Sequence, residues 1–110
     1  MTIQHKQLAE GRWSQLGFIE QMANIGSEVE RSINWRIKHN DMYTQKAFER
    51  ALELIDLTID DARNKTRLRE IARMREALVD FFVGTNEFSS TEASWRKYFF
   101  CFTYASRKDC

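Results

Sequence analysis

Acidic side chains at helical spacing are the first residues of this chain that could do chemistry. Four of them recur four, three and four positions apart, namely Glu49, Glu53, Asp56 and Asp60. Facing carboxylates inside a helical bundle can hold two metal ions, but that chemistry also uses Glu-x-x-His pairs that point inward. The sequence contains no such pair. We therefore expect surface ion pairs between this row and the basic row of Lys65, Arg69 and Arg73 on the next helix, with no metal, no cofactor and no catalytic residue.

Basic side chains crowd the stretch from residue 63 to residue 75, whose centre reads KTRLREIARMR. Clustered arginines can hold the phosphates of a nucleic acid. Glu70 and Glu76 interrupt the run, however, and the acidic row offers an intramolecular partner. We therefore favour a solvated helix face and keep RNA contact as the alternative. The residues that would make this contact are Arg36, His39, Arg63, Arg67, Arg69 and Arg73.

Arg75 differs from its neighbours because it projects into the middle of an apolar helical stripe. An unpaired charge in that position would be costly to bury, so the pattern predicts a carboxylate partner. The candidates are Asp56, Glu30 and Glu28. We favour a buried structural ion pair that fixes helix register. An anion contact at a cleft and a side chain that extends to solvent are the other two possibilities.

Aromatic residues on second helix faces are the most informative functional signal. Trp95 and Phe99 belong to one face of the last predicted helix, whereas Phe100 and Tyr104 project to the other. Large exposed apolar patches usually mark interfaces, in which Trp and Tyr are enriched. Either the N-terminal arm or another subunit must cover the outward aromatic residues, and we favour cover by a second copy of the chain or by a protein partner. The predicted interface residues are Trp13, Trp35, Phe100 and Tyr104.

Four amphipathic helices are expected to position these residues. The chain has no proline, and its apolar residues recur mainly three and four apart. Gly26 either lets another helix approach or breaks the first helix, and we favour a continuous helix. Ser89 and Glu92 resemble a capping box that opens the last helix. The first three predicted helices run from about Trp13 to Lys38, from about Tyr43 to Asp60 and from about residue 65 to Val83. The fourth follows the cap at Ser89 and runs to about Ser106.

Length and composition predict one domain over residues 1–110, an all-α antiparallel up-down four-helix bundle with a short flexible arm at residues 1–11. The net charge of +1 gives no global attraction to nucleic acid or to a membrane. No apolar run is long enough to span a bilayer, and no signal-peptide core follows Met1, so we expect a cytoplasmic protein. Cys101 and Cys110 form no metal motif and are expected to be free thiols.

The four helices, the chain size and the RIKH segment from Arg36 to His39 together resemble HEPN-type domains. These are small prokaryotic bundles that often pair with nucleotidyltransferases or act as RNA-cleaving toxins. The family's Arg and His are usually separated by more than the two residues found here. The resemblance implies RNA binding or a toxin–antitoxin role. Our leading hypothesis is instead a non-enzymatic interaction module that self-associates or binds a protein partner through its outward aromatic residues.

Overall fold

Four α-helices form the protein in the computed structural model, which describes residues 11–108. The helices are α1 (Phe18–Ile37), α2 (Asp41–Asp60), α3 (Leu68–Phe82) and α4 (Glu92–Lys108). Two short 3-10 helices, Trp13–Gln15 and Ala62–Arg67, precede α1 and α3. The predicted all-α four-helix bundle is thus confirmed. The predicted arm at residues 1–11, apart from Gly11, and Cys110 lie outside the described residues.

The central helix of the bundle is α1, which packs along both α2 and α4, while α2 also packs against α3. The α1–α4 pair is antiparallel, because Phe18 contacts Phe102 while Glu30, further along α1, binds Arg96, which lies earlier in α4. The buried core includes Met22, Ile25, Val29, Ile33, Phe48, Leu54, Ile55, Ile71, Leu78, Trp95 and Phe99. Within residues 11–108, no helix is long and apolar enough to cross a membrane.

Gly26 lies inside the continuous helix α1, as predicted. A Cβ atom built at Gly26 would lie 2.7 Å from the Cβ of Phe99 and 2.9 Å from its Cγ. Real Cβ atoms essentially never come that close to another heavy atom, so any side chain at this position would force α4 away. The glycine therefore permits the close approach of α1 and α4.

The first helix begins later than predicted, and Trp13 lies in the core instead of at a surface. Its side chain is 2% exposed, and its indole Nε1 donates to Oγ1 of Thr58 at 3.0 Å. The side chain of Gln21 donates to the carbonyl of Trp13 at 3.0 Å and to Asp61 at 2.9 Å. The predicted interface role of Trp13 is therefore wrong, because a 3-10 turn folds the indole over the end of α2.

The start of α4 also differs from the predicted capping box of Ser89 and Glu92. The backbone N–H of Ser94 donates to Oγ1 of Thr91 at 3.0 Å, and the N–H of Thr91 donates to Oγ of Ser94 at 2.9 Å. Ser89 lies in the preceding turn with a left-handed φ of 54°. The reciprocal cap is thus present, but it is made by Thr91 and Ser94.

Candidate interaction surface

Phe100 and Tyr104 form an aromatic pair on the solvent side of α4. They lie one helical turn apart, and their side chains are 64% and 59% exposed. Their rings stack with a centroid separation of 6.2 Å. Two large aromatic rings that contact each other and otherwise face water leave apolar area available for a partner. This exposure is what the sequence predicted for the two residues.

A crevice of about 450 Å³ lies beside the aromatic pair, between α1 and α4. Its apolar wall comes from Ile33 of α1 and from Trp95, Phe99 and Phe100 of α4, and Gly26 contributes no side chain. The crevice and the aromatic pair together are called the α1–α4 face below. This face combines an apolar protrusion with an apolar concavity, because Phe100 belongs to both.

Polar groups surround the α1–α4 face. Arg96 binds the carboxylate of Glu30, with the shorter N–O distance 3.0 Å, and its Nη2 donates to Oδ1 of Asn34 at 3.0 Å. The α4 edge of the face also carries the exposed Lys97 and Arg107. An apolar centre within a polar rim is the usual anatomy of a protein interface.

Trp35 does not join this surface. Its ring packs at 4.7 Å from the ring of Tyr43, which belongs to α2, and the amine of Lys38 lies 5.1 Å from its centroid. Trp35 is half-buried by these contacts. The predicted interface residues are therefore divided: Phe100 and Tyr104 lie together, Trp35 lies on the α2 side of α1, and Trp13 lies in the core.

Arg75 has a predicted partner but not the predicted burial. Its Nε donates to Oδ1 of Asp56 at 2.9 Å, and the side chains are 38% and 53% exposed. Glu30 instead binds Arg96, and Glu28 lies 3.4 Å from Arg31. The predicted buried pair is wrong because α3 turns its other flank inward, with Ile71, Met74, Leu78 and Phe81 buried. An exposed pair of this kind stabilises by about 0–1 kcal/mol.

Arg36 and His39, the residues that carry the HEPN-type resemblance, do not form a joint site. The guanidinium of Arg36 donates to the backbone carbonyl of Phe81 at 3.1 Å and lies 4.7 Å from the centroid of that ring. His39 is exposed in the turn after α1, with a left-handed φ of 58°. Arg36 is thus occupied in joining α1 to the end of α3.

The arginines of the basic stretch do not form one surface, because some of them bind other parts of the protein and others are exposed. Arg63 binds Asp61 at 2.7 Å and donates to the carbonyl of Leu16 at 2.7 Å. Hydrogen bonds from this guanidinium hold the pKa of Asp61 well below its ordinary value. The guanidinium carbon of Arg67 lies 4.3 Å from the centroid of the Phe18 ring. Arg69 and Arg73 are exposed, and neither forms a salt bridge within residues 11–108.

The acidic row does not assemble a candidate metal centre in the described part of the chain. Asp56 forms an exposed ion pair with Arg75 of α3, which is not a member of the basic row predicted to pair with it, and Glu53 is buried. The resemblance to HEPN-type domains stays a prediction. Comparisons with protein-family models, with curated proteins and with solved structures found no match to this chain.

Proposed function

We propose that this chain is a non-enzymatic interaction module that self-associates as a homodimer through the α1–α4 face. The observation that supports the proposal is the exposed, stacked pair of Phe100 and Tyr104 beside an apolar crevice. A partner that covers the two rings removes their apolar area from water, which stabilises the complex by about 25 cal/mol for each Å² buried. Phe100 and Tyr104 would form the centre of the interface.

Self-association fits this face because a two-fold interface uses the same patch twice and must be complementary to itself. An aromatic protrusion next to an apolar concavity meets that condition. In the dimer we propose, Phe100 of each copy enters the crevice of the other copy.

Charge at the rim favours one arrangement of the two copies. The α4 edge carries Lys97 and Arg107, whereas the α1 edge carries Glu20 and also Glu30, which Arg96 of the same copy already binds. Laying α4 of one copy over α4 of the other in antiparallel fashion would bring Lys97 near the second Arg107. Laying α4 over α1 of the other copy places basic residues against acidic residues instead, so we favour that crossing.

The experiment that tests the proposal is the molar mass in solution by size-exclusion chromatography with light scattering. At about 100 µM we expect the mass of a dimer for the natural chain and of a monomer for Phe100→Ser/Tyr104→Ser, because the variant removes both central rings. Met42→Ser/Val83→Ser is the matched control, since these side chains are similarly exposed but lie elsewhere. A monomeric natural chain, or a dimer that survives Phe100→Ser/Tyr104→Ser, would contradict self-association through this face.

The proposal includes a cytoplasmic location, because a reducing compartment keeps an exposed thiol such as that of Cys101 free. It does not include RNA binding. Among the six residues predicted to contact RNA, Arg36, Arg63 and Arg67 already make contacts within the protein. No observation favours RNA over a protein partner.

A further inference from the structure

A second apolar groove lies between α3 and α4, on the other flank of α4 from the proposed dimer face. It encloses about 890 Å³, and its floor includes Met74, Ala77, Phe88 and Tyr98. A smaller cavity of about 220 Å³ shares Met74, Ala77 and Tyr98 and continues the groove toward Trp95. The groove stays open because α3 does not pack along α4 within the described residues, whereas α1 packs closely along both α2 and α4.

Phe88 is held at the edge of this groove although its side chain is 56% exposed. The two carboxylate oxygens of Asp80 accept hydrogen bonds from the backbone N–H groups of Glu87 at 2.9 Å and Phe88 at 3.0 Å. The loop is thus fixed by charge-assisted hydrogen bonds, which are stronger than neutral ones. An exposed aromatic ring on a fixed loop is a preformed wall for a bound partner.

Two arginines that form no salt bridge within residues 11–108 lie along the α3 rim of the groove. Arg69 and Arg73 are one helical turn apart and exposed. Glu70, also in the rim, is the carboxylate that the hydroxyl of Tyr98 approaches at 3.5 Å, and Glu76 lies further toward the opposite end. The end nearer Thr66 therefore presents two arginines without a salt bridge beside the single carboxylate of Glu70, so a partner with two carboxylates one turn apart would complement the arginines.

The opposite end of the groove is lined by a tryptophan whose buried indole N–H a partner could reach only if the side chain shifts. Trp95 is 7% exposed, and its Nε1–H has no acceptor in the described part of the chain. Trp95 lines this groove as well as the α1–α4 crevice. The last turn of any α-helix has backbone carbonyls without an intrahelical partner, and these can accept such a bond.

We propose that the α3–α4 groove binds an acidic amphipathic helix of a protein partner. The lining from Arg69 to Ala77 spans about 12 Å of α3, which corresponds to just over two helical turns, and Thr66 extends it into the preceding 3-10 helix. Apolar residues of the partner helix at three- and four-residue spacing pack on Met74, Phe88 and Tyr98. Its first turn carries the carboxylates that bind Arg69 and Arg73, and its last turn lies at the Trp95 end. Acidic residues in a first turn also stabilise the helix itself. The binding site is separate from the proposed dimer centre at Phe100 and Tyr104.

The test uses a fluorescently labelled, end-capped peptide of about 15 residues, long enough to form helix. It carries leucines three and four apart and two glutamates one turn apart in its first half, with alanine and glutamine elsewhere. The control peptide has lysines in place of the glutamates. Binding to the full chain is measured by fluorescence anisotropy, and we expect the glutamate peptide to bind about tenfold more tightly.

Charge reversal in the protein identifies the site. Arg69→Glu/Arg73→Glu is expected to invert the preference between the two peptides, whereas the control Arg31→Glu/Lys46→Glu leaves it unchanged. Phe100→Ser/Tyr104→Ser is expected to retain peptide binding, so failure of the dimer proposal and failure of this one are distinguishable. The inference is overturned if the glutamate peptide shows no saturable binding, or if Arg69→Glu/Arg73→Glu does not change its affinity. Binding of dodecanoate without binding of the peptide would also overturn it, because the occupant would then be a small amphiphile.

Discussion

The side chain of Phe99 packs directly against Gly26 where α1 meets α4, so that a Cβ added at Gly26 would lie 2.7 Å from the Cβ of Phe99. The atoms that would have to move are the Cβ and ring carbons of Phe99, close to the backbone of α4. They are not the far end of a flexible side chain. The α1–α4 crevice depends on this contact, since Gly26 and Phe99 both line it.

Gly26→Ala is therefore expected to destabilise the protein although alanine is the better helix former. Helix propensity favours alanine by about 1 kcal/mol, whereas forcing extra volume into a packed contact costs about 1–3 kcal/mol. We expect a net loss of up to about 2 kcal/mol in the free energy of unfolding, measured by urea denaturation.

Gly17→Ala is the matched control for this substitution. Gly17 precedes α1 with extended backbone, and a Cβ there would have no neighbour within 4 Å. Glycine is preferred over alanine at this N-cap position, but alanine lowers the entropy of the unfolded chain, so the two effects oppose each other and we expect the free energy of unfolding to stay within about 0.5 kcal/mol of the natural chain. Equal losses in Gly26→Ala and Gly17→Ala would argue against the close approach as the cause.

Trp13→Phe is expected to destabilise the protein by about 1–2 kcal/mol, because the ring is buried and its hydrogen bond to Thr58 is lost. Thr58 Oγ1 keeps its own donation to the carbonyl of Leu54 at 2.8 Å, so the hydroxyl is not left without any partner. Trp35→Phe, at a half-buried position for which no indole hydrogen bond is seen, should have the smaller effect in the same urea titration. A larger loss for Trp35→Phe would contradict the placement of Trp13 as a core anchor.

The helices could be predicted from the sequence because each carries an apolar stripe of several turns. For α2 the predicted start at Tyr43 differs from the observed Asp41 by two residues, and the end at Asp60 agrees. Periodicity identifies a helix face but does not show how far the neighbouring helices cover it. For this reason the sequence predicts Arg75 in the middle of an apolar stripe, although its side chain lies at the α2–α3 rim.

The candidate surfaces could be predicted only in part. The outward direction of Phe100 and Tyr104 follows from their positions on α4 relative to Trp95 and Phe99. The crevice beside them does not, because it depends on the distance between two helices. The place of Phe88 in the α3–α4 groove could not be predicted either, because the sequence shows only an apolar residue in a polar loop. The position of its backbone is set by the hydrogen bond to Asp80, which the sequence does not reveal.

The stability of the protein in acid is expected to depend on Asp61. Hydrogen bonds from Arg63 are the main cause that lowers its pKa in the folded state, followed by the hydrogen bond from Gln21 against the opposing effect of burial. A lowered folded pKa means that the stabilisation is present above the unfolded value of about 3.9 and is lost as the pH falls below it.

We therefore expect Asp61→Asn to be less stable than the natural chain at pH 7, with a smaller further loss between about pH 4 and pH 2. Thermal unfolding followed by circular dichroism across this range measures both effects. Asp60→Asn is the control, because the neighbouring Asp60 is exposed and has no salt bridge within residues 11–108. Parallel acid profiles for the natural chain and Asp61→Asn would show that the Asp61–Arg63 pair does not control acid stability.

Tyr98 is expected to make the stability of the protein fall as the pH rises into the alkaline range. Burial, the larger cause, and the nearby carboxylate of Glu70 together raise the pKa of its hydroxyl to about 12. A raised folded pKa means that the stabilisation is complete below the unfolded value of about 10 and is lost as the pH rises toward 12.

Tyr98→Phe removes the ionising hydroxyl and keeps the ring that lines the α3–α4 groove. Its unfolding temperature should therefore fall less than that of the natural chain between pH 10 and pH 12. Tyr104→Phe, at an exposed ring, should keep the natural alkaline profile, and a profile flattened by Tyr104→Phe instead would assign the effect to the wrong tyrosine.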